Sequence, residues 1–222
     1  MSTSTRASGL VTDRFERTLA WAGVAAGLLY AVKFPVAAMP DSGNGDALTF
    51  VHDHRVQNGV VFLATALAAI LVALFSTGLR SRLRSGEGAE SSYSSIAYGG
   101  GLLLASAMLL RSWTTLAALD ATSNHNASSV RTITVLSADL WLPWIAATCV
   151  LLLGVGLGGL RSAVLPRWLS WASLVLALLC LLVPAGILVD LVMPLRLVVT
   201  GLTLRRRSTA LRLTTGESVV PV

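Results

Sequence analysis

Long apolar runs dominate the sequence and limit what the chain can fold into. A helix needs about 20 mostly apolar residues to cross about 30 Å of hydrocarbon. Four runs of that kind precede residue 163, and the apolar stretch after it is long enough for two crossings. Only 13% of the residues are charged, against about 25% in an ordinary soluble domain, so a water-soluble fold could not cover its own surface. The six predicted spans are residues 19–39, 59–79, 95–119, 140–160, 163–183 and 187–204.

The last two spans are predicted from a break in the longest apolar stretch. Proline and glycine together interrupt a helix, so Pro184 and Gly186 predict a tight hairpin between spans five and six. The sixth span is unusual because it contains three residues that a membrane helix rarely holds. These are Asp190, Pro194 and Arg196.

The arginines set the predicted orientation, because segments rich in Lys and Arg face the cytoplasm. With the N-terminus inside, twelve arginines fall on the inner side and two, Arg55 and Arg131, on the outer side. The twelve are Arg6, Arg14, Arg17, Arg80, Arg82, Arg84, Arg161, Arg167, Arg205, Arg206, Arg207 and Arg212. We therefore predict an all-α, six-helix transmembrane bundle with both termini cytoplasmic. A cytoplasmic segment at 1–18, without a cleaved signal peptide, precedes the membrane domain at 19–204, and a basic tail at 205–222 follows it.

The net charge of +6 does not indicate a nucleic-acid partner, because the basic residues lie mainly between the apolar runs, where they set topology. The expected partner is the lipid bilayer, with a small molecule or a lipid as a further ligand. One lysine stands against sixteen arginines, a bias typical of a GC-rich bacterial genome. We therefore expect a multi-pass protein of a bacterial cell membrane. The polar stretches 81–95, 120–132 and the tail after 207 are predicted to be loops or solvated segments.

Charged residues within or beside the spans are the candidates for a ligand pocket, since such groups usually face a bundle interior or a water-filled cavity. From the predicted span ends, Lys33 and Arg111 lie about 21 and about 24 Å above the inner edge. Only Arg196 falls near mid-membrane, so the outer half is the polar half. The candidates are Lys33, Arg111, Asp120, Asp139, Asp190 and Arg196.

Two interpretations of these charges are open: an ion-paired bundle, or a functional pocket that faces outward. Asp190 and Arg196 are six positions apart, which separates them by about 120° around an ideal helix. Each is therefore expected to pair with another span, for example Arg196 with Asp120 or Asp139. In a membrane-embedded enzyme, Asp120, Asp139 or Asp190 would be the catalytic acid or base.

No metal site or cofactor is predicted. All three histidines, His52, His54 and His125, fall in predicted outer loops, and imidazoles next to Asp53 have a ligand chemistry that zinc or copper accepts. A short H-x-H in a loop is common by chance, however, and we expect ordinary loop contacts instead.

The glycines from Gly154 to Gly159 match the dinucleotide-binding pattern GxGxxG by letter. That pattern requires a strand before it and a helix after it, whereas this match lies inside a predicted span. Close packing of helices explains it better, and Gly23 and Gly27 in span one have the same interpretation. The six tryptophans lie near predicted span ends and are interpreted as interface anchors. They are Trp21, Trp113, Trp141, Trp144, Trp168 and Trp171.

Four motifs resemble those of a family of uncharacterised actinobacterial membrane proteins with a domain of unknown function. They are Leu165-Pro166-Arg167-Trp168-Leu169 followed by Ser170-Trp171, Gly78-Leu79-Arg80-Ser81-Arg82-Leu83-Arg84 with Gly86-Glu87-Gly88, Gly99-Gly100-Gly101-Leu102-Leu103, and Pro194. The similarity covers roughly residues 56–207 and implies a polytopic membrane protein. It implies no catalytic residue, since the family has no established activity. The family's pattern has an aromatic residue after the last proline, where this chain has Leu195 and Arg196.

Three functions remain open. The first is a non-enzymatic membrane protein that binds a small ligand or a partner from the outer face. The second is a membrane-embedded enzyme acting on a lipid or isoprenoid-like substrate. The third is a small ion-coupled transporter, which ranks last because no inverted repeat is detectable.

Overall fold

The computed structural model describes residues 18–36, 47–86, 92–124, 126–162, 164–182 and 186–215. Within these ranges the chain forms helices and turns, with no strand, which confirms the all-α prediction. The predicted hairpin at 183–185 and His125 lie outside the described residues. The helices are α1 (18–31), α2 (Lys33–Val36), α3 (Ala47–Asp53), α4 (Arg55–Gly86), α5 (Tyr93–Ser123), α6 (Ala127–Asp139), α7 (Trp141–Ser162), α8 (Arg167–Cys180) and α9 (Gly186–Thr215).

Four helical units of the described chain are long and apolar enough to cross a membrane, judged by length and composition. They are Thr18–Pro35, Arg55–Gly86, Tyr93–Ser123 and Ala127–Ser162. Helix α8 is apolar but shorter, at 14 residues.

The outer surface of α4 supports a lipid environment. Large apolar side chains recur at Leu63, Leu67, Ile70 and Leu74, and all four are exposed. The buried side of the same helix carries smaller residues, including Ala64, Ala68 and Ala69. In a water-soluble bundle the large apolar side chains would lie inside. Here they cover the outside, as expected where the solvent is hydrocarbon and helices approach through small residues.

Six of the helices pack in chain order into a ring, namely α1, α4, α5, α7, α8 and α9. Helices α4, α5, α7, α8 and α9 each contact the next, and α4 also contacts α7. Helix α1 completes the ring because it contacts α4 on one side and α9 on the other. On the α4 side, Gly23 lies against the ring of Phe75, and on the α9 side, Gly27 lies against the Pro194 carbonyl.

Glycines determine how closely these helices approach. A Cβ placed on Gly100 of α5 would overlap the Leu151 backbone of α7, and one on Gly154 of α7 would overlap the Ala97 backbone of α5. The two backbones therefore touch twice along one seam. The letter match to GxGxxG lies within this seam and against α8, which confirms its interpretation as helix packing.

The bundle's first and last helices meet in the same way. A Cβ on Gly27 would lie 2.5 Å from the carbonyl oxygen of Pro194, and one on Gly201 would lie 2.7 Å from that of Ala20. Only glycine leaves room for such contacts between backbones.

Where the structure describes them, the stretches predicted as loops are mainly helical, at 81–86, 93–95, 120–123, 127–132 and 208–215. The loop prediction was wrong for these residues. Helix α5 continues to Ser123 and α6 begins at Ala127, where the Asn126 side chain accepts a hydrogen bond of 3.1 Å from the Ser129 amide. Val130 is completely buried, because α6 packs against α3 and α5. Helix α4 likewise runs on to Gly86, and α9 enters the basic tail. Tertiary packing and capping thus form helix where polar composition alone predicted loop.

A candidate site around Lys33 and Asp190

Lys33 and Asp190 form an ion pair between the first and last helices of the ring. The Lys33 ammonium lies 2.7 Å from both carboxylate oxygens of Asp190. The Tyr30 hydroxyl donates a 2.7 Å hydrogen bond to Oδ1 of the same carboxylate, and Lys33 also donates to the Tyr30 oxygen. Asp190 therefore pairs with another span, as predicted. We refer to this end of the bundle as the outer end, following the predicted orientation.

Local structure explains how these three side chains meet. Tyr30 lies in the last turn of α1 and Lys33 begins α2 after a turn at Val32, so the two are three residues apart on one side of the helical unit. Asp190 lies in the second turn of α9. The contact between Gly27 and Pro194, one turn away on each helix, brings the two backbones close enough for the ion pair.

Aromatic rings surround the ammonium group. Its nitrogen lies 3.9 Å from the centroid of the Tyr30 ring, 4.9 Å from that of Phe34 and 5.6 Å from that of Trp144. Trp144 stacks on Tyr30 with ring centroids 6.2 Å apart and an interplanar angle of 10°. A cation within about 6 Å of an aromatic centroid is attracted by the ring quadrupole. The site therefore holds the Lys33 charge through both a carboxylate and three rings.

Trp144 is not an interface anchor, which corrects the prediction for this residue. It is only 4% exposed, and its indole nitrogen has no hydrogen-bond partner among the described residues. The other five tryptophans are exposed, as their interpretation as anchors requires. They are Trp21, Trp113, Trp141, Trp168 and Trp171.

Arg111 brings a second positive charge to the site. Its side chain on α5 is half-buried, and its charge acts on both Tyr30 and Lys33. No carboxylate of the described chain lies within ion-pair distance of Arg111, whereas Asp190 is committed to Lys33. Asp190 thus neutralises Lys33, whereas the charge of Arg111 has no ion-pair partner among the described residues, and the site has a surplus positive charge.

The two other predicted carboxylates lie apart from this site. Asp120 and Asp139 are exposed, near the end of α5 and at the end of α6. The structure therefore brings together three of the six predicted pocket residues, namely Lys33, Arg111 and Asp190. Both oxygens of Asp190 accept hydrogen bonds from the Lys33 ammonium, so this carboxylate is engaged within the bundle.

Arg196 was predicted to pair with Asp120 or Asp139, and that pairing is wrong. The guanidinium is buried and donates a hydrogen bond to the Ser173 hydroxyl of α8. The physical reason is depth: Arg196 lies inside the bundle about 15 Å along α9, whereas both carboxylates are exposed at helix ends.

The histidines make ordinary local contacts. His52 lies 3.5 Å from the Asp53 carboxylate, and both side chains are exposed. His54 stacks on Phe50, with ring centroids 4.4 Å apart, and its Nδ1 lies 2.9 Å from the carbonyl oxygen of Phe50. Within the described ranges, no three His, Cys, Asp or Glu side chains are grouped so as to hold a metal ion.

Three functional residues were missed at the sequence level: Tyr30, Phe34 and Trp144. A signal for Tyr30 was present, because a tyrosine three residues before an intramembrane lysine shares its helix face and can solvate it. Trp144 carried no such signal, since only the fold brings α7 next to α1.

Comparison with protein-family models, with curated proteins and with solved structures finds no match to this chain.

Proposed function

We propose that this chain is a six-span protein of the bacterial cell membrane that binds a small organic anion at its outer end. The observation that carries the proposal is the cluster of Lys33, Arg111 and Asp190, in which Asp190 neutralises Lys33 and Arg111 adds a charge without an ion-pair partner among the described residues, beside stacked aromatic rings. Both termini are cytoplasmic in this proposal.

The closed ring supports the six-span arrangement. If each of the six ring helices crosses the membrane, successive helices alternate in direction, so an N-terminus inside places the C-terminus inside as well. The inner end carries arginines that lie over aromatic rings across helix seams: Arg80 over Tyr98, Arg161 over Tyr93 and Arg205 over Trp21, at 5.1, 5.0 and 4.6 Å from the ring centroids. Arginines stacked on aromatic residues at one end of a bundle suit the cytoplasmic interface.

Alkaline phosphatase fusions test the topology. A fusion after Arg207 should be inactive, because the enzyme folds only outside the cytoplasm, and a fusion at Gly43 should be active. The reverse pattern would refute the orientation and with it the outward-facing site.

The chemistry of the site favours an anion with an apolar part. Arg111 supplies a charge that no carboxylate of the described residues neutralises, and guanidinium groups bind carboxylates and phosphates through paired hydrogen bonds. The Trp144 indole N–H is a further donor without a partner among the described residues. Asp190 is 25% exposed at its side chain, so the cluster is open to an entering group. The neighbouring rings of Tyr30 and Trp144 provide the apolar surface for the rest of the ligand.

Ligand binding is tested by thermal unfolding of the purified protein in nanodiscs with benzoate and hexanoate as probes. A ligand at 100 times its Kd stabilises the folded state by about 2.7 kcal/mol. We expect a raised Tm for the wild type and no rise for Arg111→Gln. The matched control is Arg131→Gln, which removes an exposed outer arginine on α6 and should retain the rise. Equal responses of Arg111→Gln and Arg131→Gln would place binding elsewhere and refute this site.

The enzyme hypothesis, with Asp120, Asp139 or Asp190 as acid or base, ranks behind binding. Asp190 is engaged by Lys33, and the two others are exposed and separate from the cluster. The hypothesis of an ion-coupled transporter also ranks behind it.

A further inference from the structure

Arg196 is a second buried cation, separate from the outer site. It lies on α9 six residues after Asp190 and is only 7% exposed. Its Nη2 donates to the Ser173 hydroxyl of α8, and its Nη1 is buried without a hydrogen-bond partner among the described residues. The guanidinium therefore lies in the seam between α8 and α9 with part of its bonding capacity unused.

No protein group of the described chain neutralises this charge. The ion pairs of these residues are Lys33 with Asp190 and His52 with Asp53, and neither includes Arg196. Among the described residues, the titratable side chain that interacts electrostatically with the Arg196 guanidinium is the free thiol of Cys180. A cation inside a membrane bundle is costly unless an opposite charge or water accompanies it. The described residues therefore leave the charge of Arg196 to be compensated by a bound anion or by water.

The hydroxyl groups on α8 differ in their relation to Arg196. Ser173 uses its proton in a 2.8 Å hydrogen bond to the Leu169 carbonyl and offers its oxygen to Arg196. Ser170, one turn away on the same face, is completely buried and its hydroxyl has no partner among the described residues. It lies against Gly159 of α7, where a Cβ would overlap its oxygen. The Ser170 hydroxyl therefore faces α7, and the unused donor in the seam of α8 and α9 is Nη1 of Arg196.

We propose that the seam of α8 and α9 around Arg196 binds one small monovalent anion, of which chloride is the simplest. A single positive charge balances one negative charge, so a monovalent ion is favoured over a divalent one in a low-dielectric interior. The same two helices carry buried apolar residues, including Leu169 and Leu197, and such an interior favours a small, weakly hydrated anion. The site is independent of the outer site, which takes an organic anion.

Direct binding is measured by the ³⁵Cl NMR line width of the purified protein in nanodiscs, exchanged into sodium gluconate and titrated with sodium chloride. All samples carry Arg111→Gln, so that the outer site does not contribute. We expect chloride broadening on this background and its loss in Arg111→Gln/Arg196→Met. Methionine keeps a long unbranched side chain but removes the charge. Retained broadening without Arg196 would overturn the proposal.

Stability provides the second readout, at constant ionic strength. Chloride at 100 times its Kd should shift the folding equilibrium about 100-fold for the Arg111→Gln protein. Arg111→Gln/Arg196→Met should not respond, and in gluconate it should unfold at a higher temperature than Arg111→Gln because no unneutralised cation remains. If the methionine variant does not fold, Arg196→Lys replaces it, and it should bind chloride more weakly but measurably. A seam that holds only water would give equal Tm values in chloride and gluconate, and this result would refute the proposal while leaving the outer site intact.

Discussion

Replacing Asp190 with asparagine removes the negative charge of the Lys33–Asp190 pair with almost no change in side-chain shape. The Lys33 ammonium would remain among three aromatic rings, only 7% exposed, but without its carboxylate. Removing one partner of a buried pair costs about 3–5 kcal/mol in soluble proteins. A lysine at the centre of a membrane helix costs about 2.5–3.5 kcal/mol on insertion scales.

The geometry of this pair lowers the expected cost. The Asp190 side chain is 25% exposed, so water partly solvates the site, and the aromatic rings still attract the ammonium. We therefore expect Asp190→Asn to lower the free energy of unfolding by about 2–3 kcal/mol. Lys33→Met should cost less, about 1 kcal/mol, because the carboxylate left behind keeps the Tyr30 hydrogen bond and its contact with water.

The double variant Lys33→Met/Asp190→Asn provides the critical comparison. With both charges gone, neither group is left buried and unpaired, and replacing a buried ion pair by neutral side chains is often nearly neutral. We expect the double variant to be more stable than Asp190→Asn, with a coupling of about 2 kcal/mol between the two positions.

The assay is reversible unfolding in mixed micelles, with the free energy extracted for the wild type, both single variants and the double variant. Asp53→Asn is the control, because it breaks the exposed pair with His52, and such pairs contribute about 0–1 kcal/mol. If the single effects simply added, the two side chains would not be coupled in the folded protein. The reasoning on the site would then fail.

Two further predictions concern the helix seams. Gly154→Leu should destabilise the bundle by more than the about 1–3 kcal/mol typical of overpacking, because its Cβ would overlap the α5 backbone. The control Gly99→Leu should have little effect, because nothing lies within 4 Å of a Cβ at that position. Equal melting curves of the two variants in detergent would disprove the packing role. Ser112→Ala removes a 2.9 Å hydrogen bond from α5 to a carbonyl of α4 and should lower the free energy of unfolding by about 0.6 kcal/mol. Ser106→Ala should lower it less, because the Ser106 hydroxyl bonds to a carbonyl of its own helix.

Much of the fold could be predicted from the sequence, because a long apolar run is a local signal for a helix. The length of the apolar runs predicted the helices. The glycines of α7 were predicted to serve helix packing, and they lie against α5 and α8 in the structure. The structure of the polar stretches could not be predicted in the same way. Residues 127–132 belong to the polar stretch predicted as loop, yet they form the first part of α6, in which Val130 is buried against the rest of the bundle.

Only part of the candidate site could be predicted from the sequence. Lys33 and Asp190 were identifiable as costly charges that need partners, but the sequence does not say which charge pairs with which. That choice depends on the order of helices around the ring, and only the ring makes α1 and α9 neighbours. The wrong assignment of Arg196 has the same origin. Its partner is Ser173, a side chain without charge that no search for carboxylates would select.

The features that weaken α9 as an independent membrane helix also determine its position. Asp190, Pro194 and Arg196 each disfavour insertion of an isolated segment. In the bundle, Lys33 of α2 pairs with the carboxylate, Gly27 of α1 makes room for the Pro194 carbonyl, and Ser173 of α8 accepts a hydrogen bond from the guanidinium. All of these partners precede α9 in the chain and are therefore synthesised before it. A helix with these three residues is stable only in a groove that meets all three requirements, and the groove between α1 and α8 is the place where the ring closes.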